Sequence, residues 1–578
     1  MTKITKNKKL NMLFFILSLI LIAVTMFVFI AQKEGFHEDE IYSYGSSNSK
    51  YSDIFYASAD RDATNRVVSE YIIEENDAKK TYENYKYYKN HPEEFKALED
   101  EKITSELPIW KTPEEAKDYL VVSEDEITNY ISPYYHQTRD VHPPLFYFLV
   151  HLASSFFVGT FTKYSIFFIN LVFLLATCFI LRKILILFNR ENLIVPTTLL
   201  YGLCMGTISM AVFLRMYAML TFFVMLYFYV TLKILKNDFK ITKGTAATLI
   251  ITTVLGFLTQ YYFCIFALCV FILMCLRMLT TKNIKPTLKY VICHITSAIF
   301  GLLLFPSAID HIFNSSRGIG STSGLSFYAQ LEVMIQRITY AFSMHRFIGV
   351  LVFLLILSYI FVRCIEKNDT PKEKSAKLFN IFLFVVPIVV YIALVSKLSP
   401  NLDEKTMIRY ITPVLPLMAI SFLVFIEKLI SSANVLKENG KTIFIYAIVF
   451  VMTVSGFVFS SPCYLYRGYN NYLEVANEYK DLNYVYVYDN YFTHLNSVPE
   501  MAIYNKTLII NLYDEKQKNV LSTDEEIKNS DKFVLSLKKW MNTEEALNEV
   551  LLKTGYTKAE VLLDQEDDTQ SILYLVSK

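Results

Sequence analysis

Residues 13–30 read LFFILSLILIAVTMFVFI, and residues 36–43, shortly beyond them, read FHEDEIYS. An unbroken apolar run of that length is what a helix needs to cross the hydrocarbon of a bilayer. The lysines at 3, 6, 8 and 9 give it the basic start of a secretory leader, but its apolar part is too long and no small-residue cleavage site precedes Gln32. It reads as a permanent first helix. Glu38, Asp39 and Glu40 then follow at the membrane surface. A carboxylate held against an apolar wall loses hydration, its pKa tends to rise, and it becomes a better acceptor for a hydroxyl proton. The pair of segments predicts an enzyme working at the outer face of a membrane.

The rest of the chain agrees with a membrane protein. Of 578 residues, 53% are hydrophobic and 15% aromatic, too apolar for a soluble protein of ordinary composition. The formal net charge is +1, so no global basic field draws the chain to nucleic acid. Cys178, Cys204, Cys264, Cys269, Cys275, Cys293 and Cys364 lie in or beside apolar runs and form no CxxC pair, which suits small buried hydrophobes.

Further runs of membrane-crossing length are Tyr164 to Leu181, Leu193 to Val212, Tyr217 to Leu235, Tyr290 to Ile309, Ile348 to Val362, Phe379 to Val395, Ile411 to Ile426 and Thr442 to Ser460. Thr245 to Leu279 is long enough for two. The expected total is about eleven transmembrane helices. Basic residues recur in alternate loops, which keeps the amino terminus cytoplasmic if Pro143 to Phe161 lies along the outer surface instead of crossing. The loop with Asp39, the loops 310–346 and 397–409, and the carboxy-terminal tail then share the outer side.

Beyond Ser461 the composition changes. Tyr484 to Tyr488, Thr507 to Leu512, Lys532 to Leu537, Ala559 to Leu563 and Ser571 to Val576 read as strands. Asn542 is placed to cap a helix ending at Gly555, and Ser522 with Glu525 gives a second capping signal. The expected fold is therefore a polytopic α-helical transmembrane module over 1–460 and a small extracytoplasmic α/β domain over 461–578. The domain has no Gly-rich strand-to-helix turn for a nucleotide, and packing over the outer vestibule or holding an acceptor are its expected roles. Within the module, 49–133 is a polar, tyrosine-rich insert with helices expected around Arg66 to Glu75 and Thr112 to Tyr119.

Four motifs follow in order: Asp39-Glu40 with Ile41, Tyr42 and Ser43; Asp140-Val141-His142-Pro143-Pro144-Leu145; Arg215-Met216-Tyr217; and Arg409-Tyr410 with Pro413 and Pro416. In this order the chain resembles the bacterial branch of the dolichyl-phosphate-mannose protein mannosyltransferase-like family, within the GT-C superfamily that also holds the aminoarabinose transferases of lipid A. The resemblance covers residues 1 to about 460. It implies a GT-C fold and an inverting transfer of sugar from a polyprenyl phosphate to an acceptor hydroxyl, with Asp39 as base. The stretch from Asp39 to His142 is longer than is usual in that family, so the acceptor, whether glycan, lipid or protein, stays open.

A lipid-anchored sugar phosphate presents its glycosidic bond at headgroup depth, where a base and cationic donors must meet. Arg215, Arg409 and His142 are candidates to stabilise the leaving phosphate, and Tyr217 and Tyr410 to hydrogen-bond it or pack on the prenyl chain. Glu40 is a candidate catalytic neighbour of Asp39 or an orienter of its loop. Each has a plain alternative: Asp39 as a loop acid, His142 as the start of a surface helix, the arginines as interfacial anchors, the tyrosines as belt aromatics. No metal is required if arginines supply the charge; Mg²⁺ or Mn²⁺ on Glu38, Asp39 and Glu40 is the alternative. A transporter or lipid flippase is the rival from another class, and predicts interrupted helices with polar residues at the bilayer midplane. A purely structural or sensory membrane protein is the third reading. A bacterial plasma membrane is the expected location, from the lysine, isoleucine, asparagine and tyrosine bias.

Overall fold

In the computed structural model, residues 2–48, 67, 68, 70–72, 74, 77–105, 110–313, 327–343, 370–398, 406–433, 437–488, 494–566 and 571–578 are described. They form two compact units. The first comprises Met1–Ile30, Asp140–Phe146 and Phe167–Cys463, and the second Ala31–Arg139, Tyr147–Ile166 and Tyr464–Lys578.

The first unit is helical. Eight helices among the described residues are long and apolar enough to cross a membrane: Lys9–Ala31, Tyr164–Leu187, Tyr217–Lys236, Tyr262–Thr280, Ile284–Leu304, Glu373–Leu398, Thr412–Ser431 and Asn439–Phe459. Lys243–Thr259 is apolar but shorter, at 17 residues. The expected span Ile348 to Val362 lies outside the described residues. The expected span Leu193 to Val212 is broken into two short helices, Ile194–Gly202 and Met205–Val212, and the pair bends by 58°. Close packing lies beside the bend. A side chain on Gly206 would come within 2.8 Å of Leu415 and 3.0 Å of Ala341, so only glycine lets these neighbours approach. The apolar helix Leu145–Ser154 has ten residues, too few to cross about 30 Å of hydrocarbon at 1.5 Å per residue.

The second unit is built on a six-stranded sheet: β1 Trp110–Lys111, β2 Tyr484–Tyr488, β3 Thr507–Asn511, β4 Lys532–Lys538, β5 Lys558–Asp564 and β6 Ser571–Ser577, in the order β1-β3-β2-β4-β6-β5. β2 is parallel to both β3 and β4, and the other pairings are antiparallel. Strand alternation divides the sheet's side chains. Val485, Val487, Leu508, Ile510, Leu535 and Leu537 enter an apolar core with Leu521, Ala546 and Val550, while Tyr484, Tyr486 and Tyr488 are buried on the opposite face. Asn542 caps the helix Thr543–Thr554, which ends at left-handed Gly555 (φ 76°). The second cap is corrected from Ser522 to Asp524. The Asp524 side chain accepts the Ile527 N–H at 2.9 Å and the Trp110 indole N–H at 3.0 Å, so one carboxylate caps a helix and holds the edge strand. That strand belongs to the insert 49–133, whose helix Pro113–Leu120 is closed by a capping box between Thr112 and Glu115. Of the helix expected around Arg66 to Glu75, Val67, Val68, Glu70 and Tyr71 are helical, and residues 66, 69, 73 and 75 lie outside the described residues.

Candidate functional site

In the first unit, the bent helix pair delivers Arg215. The last carbonyls of a helix need partners from outside it, and the Asn170 amide donates to Phe213 O at 2.8 Å and to Ala211 O at 3.3 Å. The chain turns there, Arg215 N–H donating to Phe213 O at 2.8 Å, and the Arg215 side chain is left 2% exposed. His142 faces it: Arg215 Nη2 lies 3.4 Å from His142 Nε2, and His142 Nδ1 lies 2.5 Å from Asp140 Oδ2. Guanidinium is always a donor, so Nε2 is the nitrogen left to meet Arg215 or a ligand, with Nδ1–H directed to Asp140. Burial pushes the Asp140 carboxyl up, but His142, the Val141 N–H and Arg215 outweigh it and hold the group at about 2. Asp140 is ionised and orients the imidazole.

Phe213 and Tyr217 extend the site. Their rings stack at 5.9 Å, the Arg409 guanidinium sits 5.4 Å from the Phe213 centroid and 5.0 Å from that of Tyr410, and Tyr410 meets Tyr217 edge-on at 5.9 Å and Tyr262 at 5.7 Å. His142, Arg215, Tyr217, Arg409 and Tyr410 thus belong to one continuous cluster. Sequence reasoning missed Arg337. It lies on the helix Phe327–Ala341, which packs against the turn Thr406–Tyr410, and it is 1% exposed with Nη1 3.0 Å from Ser396 Oγ. Burial pulls its pKa down to about 10, with Tyr410 and Tyr262 opposing and Arg409 adding to the fall. It stays cationic at neutral pH. Three guanidinium groups and the Asp140 carboxylate belong to this cluster, beside Tyr217, Tyr262 and Tyr410. Such an arrangement suits an anion with an apolar body, such as a lipid phosphate.

Glu38, Asp39 and Glu40 lie in the second unit, on the first turn of the helix Glu38–Asn48. Successive helical residues point about 100° apart, so the three acids part company. Glu38 and Asp39 are roughly one-third exposed, whereas Glu40 is wholly buried against Lys33. Glu40 Oε2 accepts from Lys33 Nζ at 2.9 Å and from His37 N–H at 2.7 Å. Of its two expected roles, catalytic neighbour or orienter, these contacts suit the second. Among the described residues, no group of three His, Cys, Asp or Glu side chains converges for a metal.

No protein-family model and no curated protein matches the chain. Among solved structures it is similar to ArnT from Cupriavidus metallidurans. The apo state aligns with a TM-score of 0.39 and 9% identity, over 75% of this chain and 87% of that one. The state bound to undecaprenyl phosphate aligns with a TM-score of 0.47 and 10% identity, over 97% of each.

Proposed function

We propose that this chain is a membrane glycosyltransferase of GT-C type, which moves a sugar from a polyprenyl-phosphate-linked donor to an acceptor hydroxyl at the outer face of a bacterial plasma membrane. The observation that carries the reading is the arginine–tyrosine cluster of the first unit. The planar, permanently charged guanidinium matches phosphate oxygens two at a time, and three on membrane-associated helices and turns fit the headgroup of a lipid phosphate. Asp39 takes the acceptor proton as the acceptor oxygen bonds to the anomeric carbon from the face opposite the phosphate. The bond from that carbon to the phosphate oxygen breaks, its electron pair stays with the phosphate, and the configuration inverts. The phosphodiester leaves as a monoester with one more negative charge. Arg215, Arg337 and Arg409, with Tyr217 and Tyr410, bind that growing charge while His142 Nε2 orients Arg215, and removing one such donor typically raises the barrier by about 3 kcal/mol. No metal enters the step.

The bent helix pair is the feature a lipid-linked-sugar flippase would share. The two readings differ in product, because transfer releases free polyprenyl phosphate and translocation does not. The test uses reconstituted protein and a polyprenyl-phosphate-sugar fraction extracted from the native host's membranes, with polyprenyl phosphate release read by mass spectrometry. Asp39→Asn is expected to abolish release while binding undecaprenyl phosphate as wild type does. Release at the wild-type rate refutes Asp39 as base.

A further inference from the structure

We infer that the segment 464–470, which follows the last membrane helix, is a positioning clasp for Asp39, with Lys33, Glu40 and His37 as its working parts. The inference rests on Asp39 being the base of the proposed transfer.

The segment 32–35 is stitched to 464–470 residue by residue. Arg467 Nη2 donates to Gln32 Oε1 at 2.6 Å, Lys33 Nζ to Tyr464 O at 2.5 Å, Glu34 N to Leu465 O at 2.9 Å and Gly468 N to Glu34 Oε2 at 2.7 Å. Gly35 has no room for a side chain, since an added carbon would fall 2.7 Å from Tyr469 and 2.9 Å from Tyr466. Tyr464 and Tyr466 both adopt left-handed backbone, at φ 68° and 48°. That conformation is unfavourable for bulky residues and persists only where surrounding contacts hold it. Here the Tyr464 carbonyl meets the Lys33 ammonium, and the Tyr466 ring lies 5.4 Å from the same nitrogen.

From Lys33 the contacts run to Asp39 without a gap. Lys33 holds the Glu40 carboxylate, and that carboxylate accepts the His37 N–H. The His37 imidazole in turn accepts the Asp39 N–H through Nδ1 at 3.0 Å. This is a variant of the capping box: Glu40 at the third helical position reaches back to the His37 N–H, and the His37 ring caps the second helical N–H, that of Asp39. Because Nδ1 is an acceptor, the 3.8 Å approaches of the same nitrogen to the Glu38 and Asp39 carboxylates are not ion pairs. His37 fixes backbone, not charge. A fully buried ion pair adds little stability over an apolar pair of the same volume, so stability alone does not account for Lys33 and Glu40. Their position accounts for them: the pair sets where the helix Glu38–Asn48 begins, and so where the Asp39 side chain leaves the backbone.

The test is the double variant Lys33→Met/Glu40→Gln, which removes both charges together, assayed in the reconstituted full chain with the same lipid extract. The expected result is kcat lower by about tenfold or more, as misplacement of a reacting group produces. KM for the lipid donor and affinity for undecaprenyl phosphate should stay at their wild-type values, and hydrogen exchange at the Asp39 amide should quicken. Should the double variant fail to fold, Glu34→Ala, at the half-buried rim of the clasp, removes the Gly468 contact and should lower kcat by roughly threefold or more at constant KM. Wild-type kcat in the folded variants, or a loss residing wholly in KM, overturns the clasp while leaving Asp39→Asn inactive and the base assignment intact. An active Asp39→Asn removes the base and the clasp's purpose with it.

Discussion

Replacing Arg409 by lysine separates charge from shape at the candidate phosphate site. The guanidinium is 8% exposed, lies 5.4 Å from the Phe213 ring and 5.0 Å from the Tyr410 ring, and has Nη2 3.4 Å from Tyr410 Oη. A lysine keeps the positive charge but loses the flat fork that stacks on both rings and grips two phosphate oxygens at once. Each desolvated cation–π contact is worth about 0.5–2 kcal/mol, and weakening two of them predicts destabilisation by about 1–3 kcal/mol. Loss of a bidentate grip adds about 1.4 kcal/mol to phosphate binding, equivalent to about a tenfold weaker Kd. Because the leaving phosphate gains charge during transfer, kcat should suffer more than binding, by about ten- to a hundredfold. The measurements are isothermal titration of detergent-solubilised protein with undecaprenyl phosphate, a thermal melt, and turnover on the lipid extract. A lysine variant that binds and turns over as wild type does would refute the phosphate role and leave Arg409 as an interfacial anchor.

Two further predictions concern stability. The Asp140 carboxyl is held at about 2, below its ordinary value near 3.8, so its contribution is present above about pH 4 and disappears as pH falls through 2. The shift corresponds to about 2 kcal/mol, and melts in an acid-tolerant detergent should show wild type losing about that much between pH 4 and 2, with Asp140→Asn losing none of it. A carbon added to Gly45 would run into the ring of Tyr119, itself 2% exposed. Gly45→Ala should therefore destabilise the second unit by about 1–3 kcal/mol, read as a lower melting temperature, and an unshifted melt would contradict the close packing.

What could be read from the sequence was what short-range chemistry determines. Length of apolar run located the membrane helices, and alternation of Tyr with Val in 484–488 located the central strand, because both signals repeat within the element itself. Asn542 and Gly555 marked their helix for the same reason. The bend at 203–204 escaped because no charged residue interrupts the run through Leu193 to Val212, and the contacts beside it come from Asn170, Ala341 and Leu415, far away in sequence. β1 escaped because two residues carry no period, and its indole anchor, Asp524, lies 414 positions along the chain.

The same distinction explains which site residues were legible. Arg215 and Arg409 stood out because each adjoins an apolar run on the side expected to face outward, where positive charge is disfavoured. Arg337 sits in LEVMIQRITYA, residues 331–341, where Glu332 and Gln336 make it look like one more polar position on an exposed helix. Only packing against 406–410 and Ser396 makes it a buried cation. For Glu40, adjacency to Asp39 left two roles open, catalytic neighbour or orienter of the loop. Adjacent helical residues diverge, and the partner that decides its role is Lys33, seven residues earlier and ahead of the helix. Charge displaced from where hydrophobicity would put it therefore locates such a site, but which of two neighbouring acids reacts and which one holds the other is decided by contacts that no local pattern encodes.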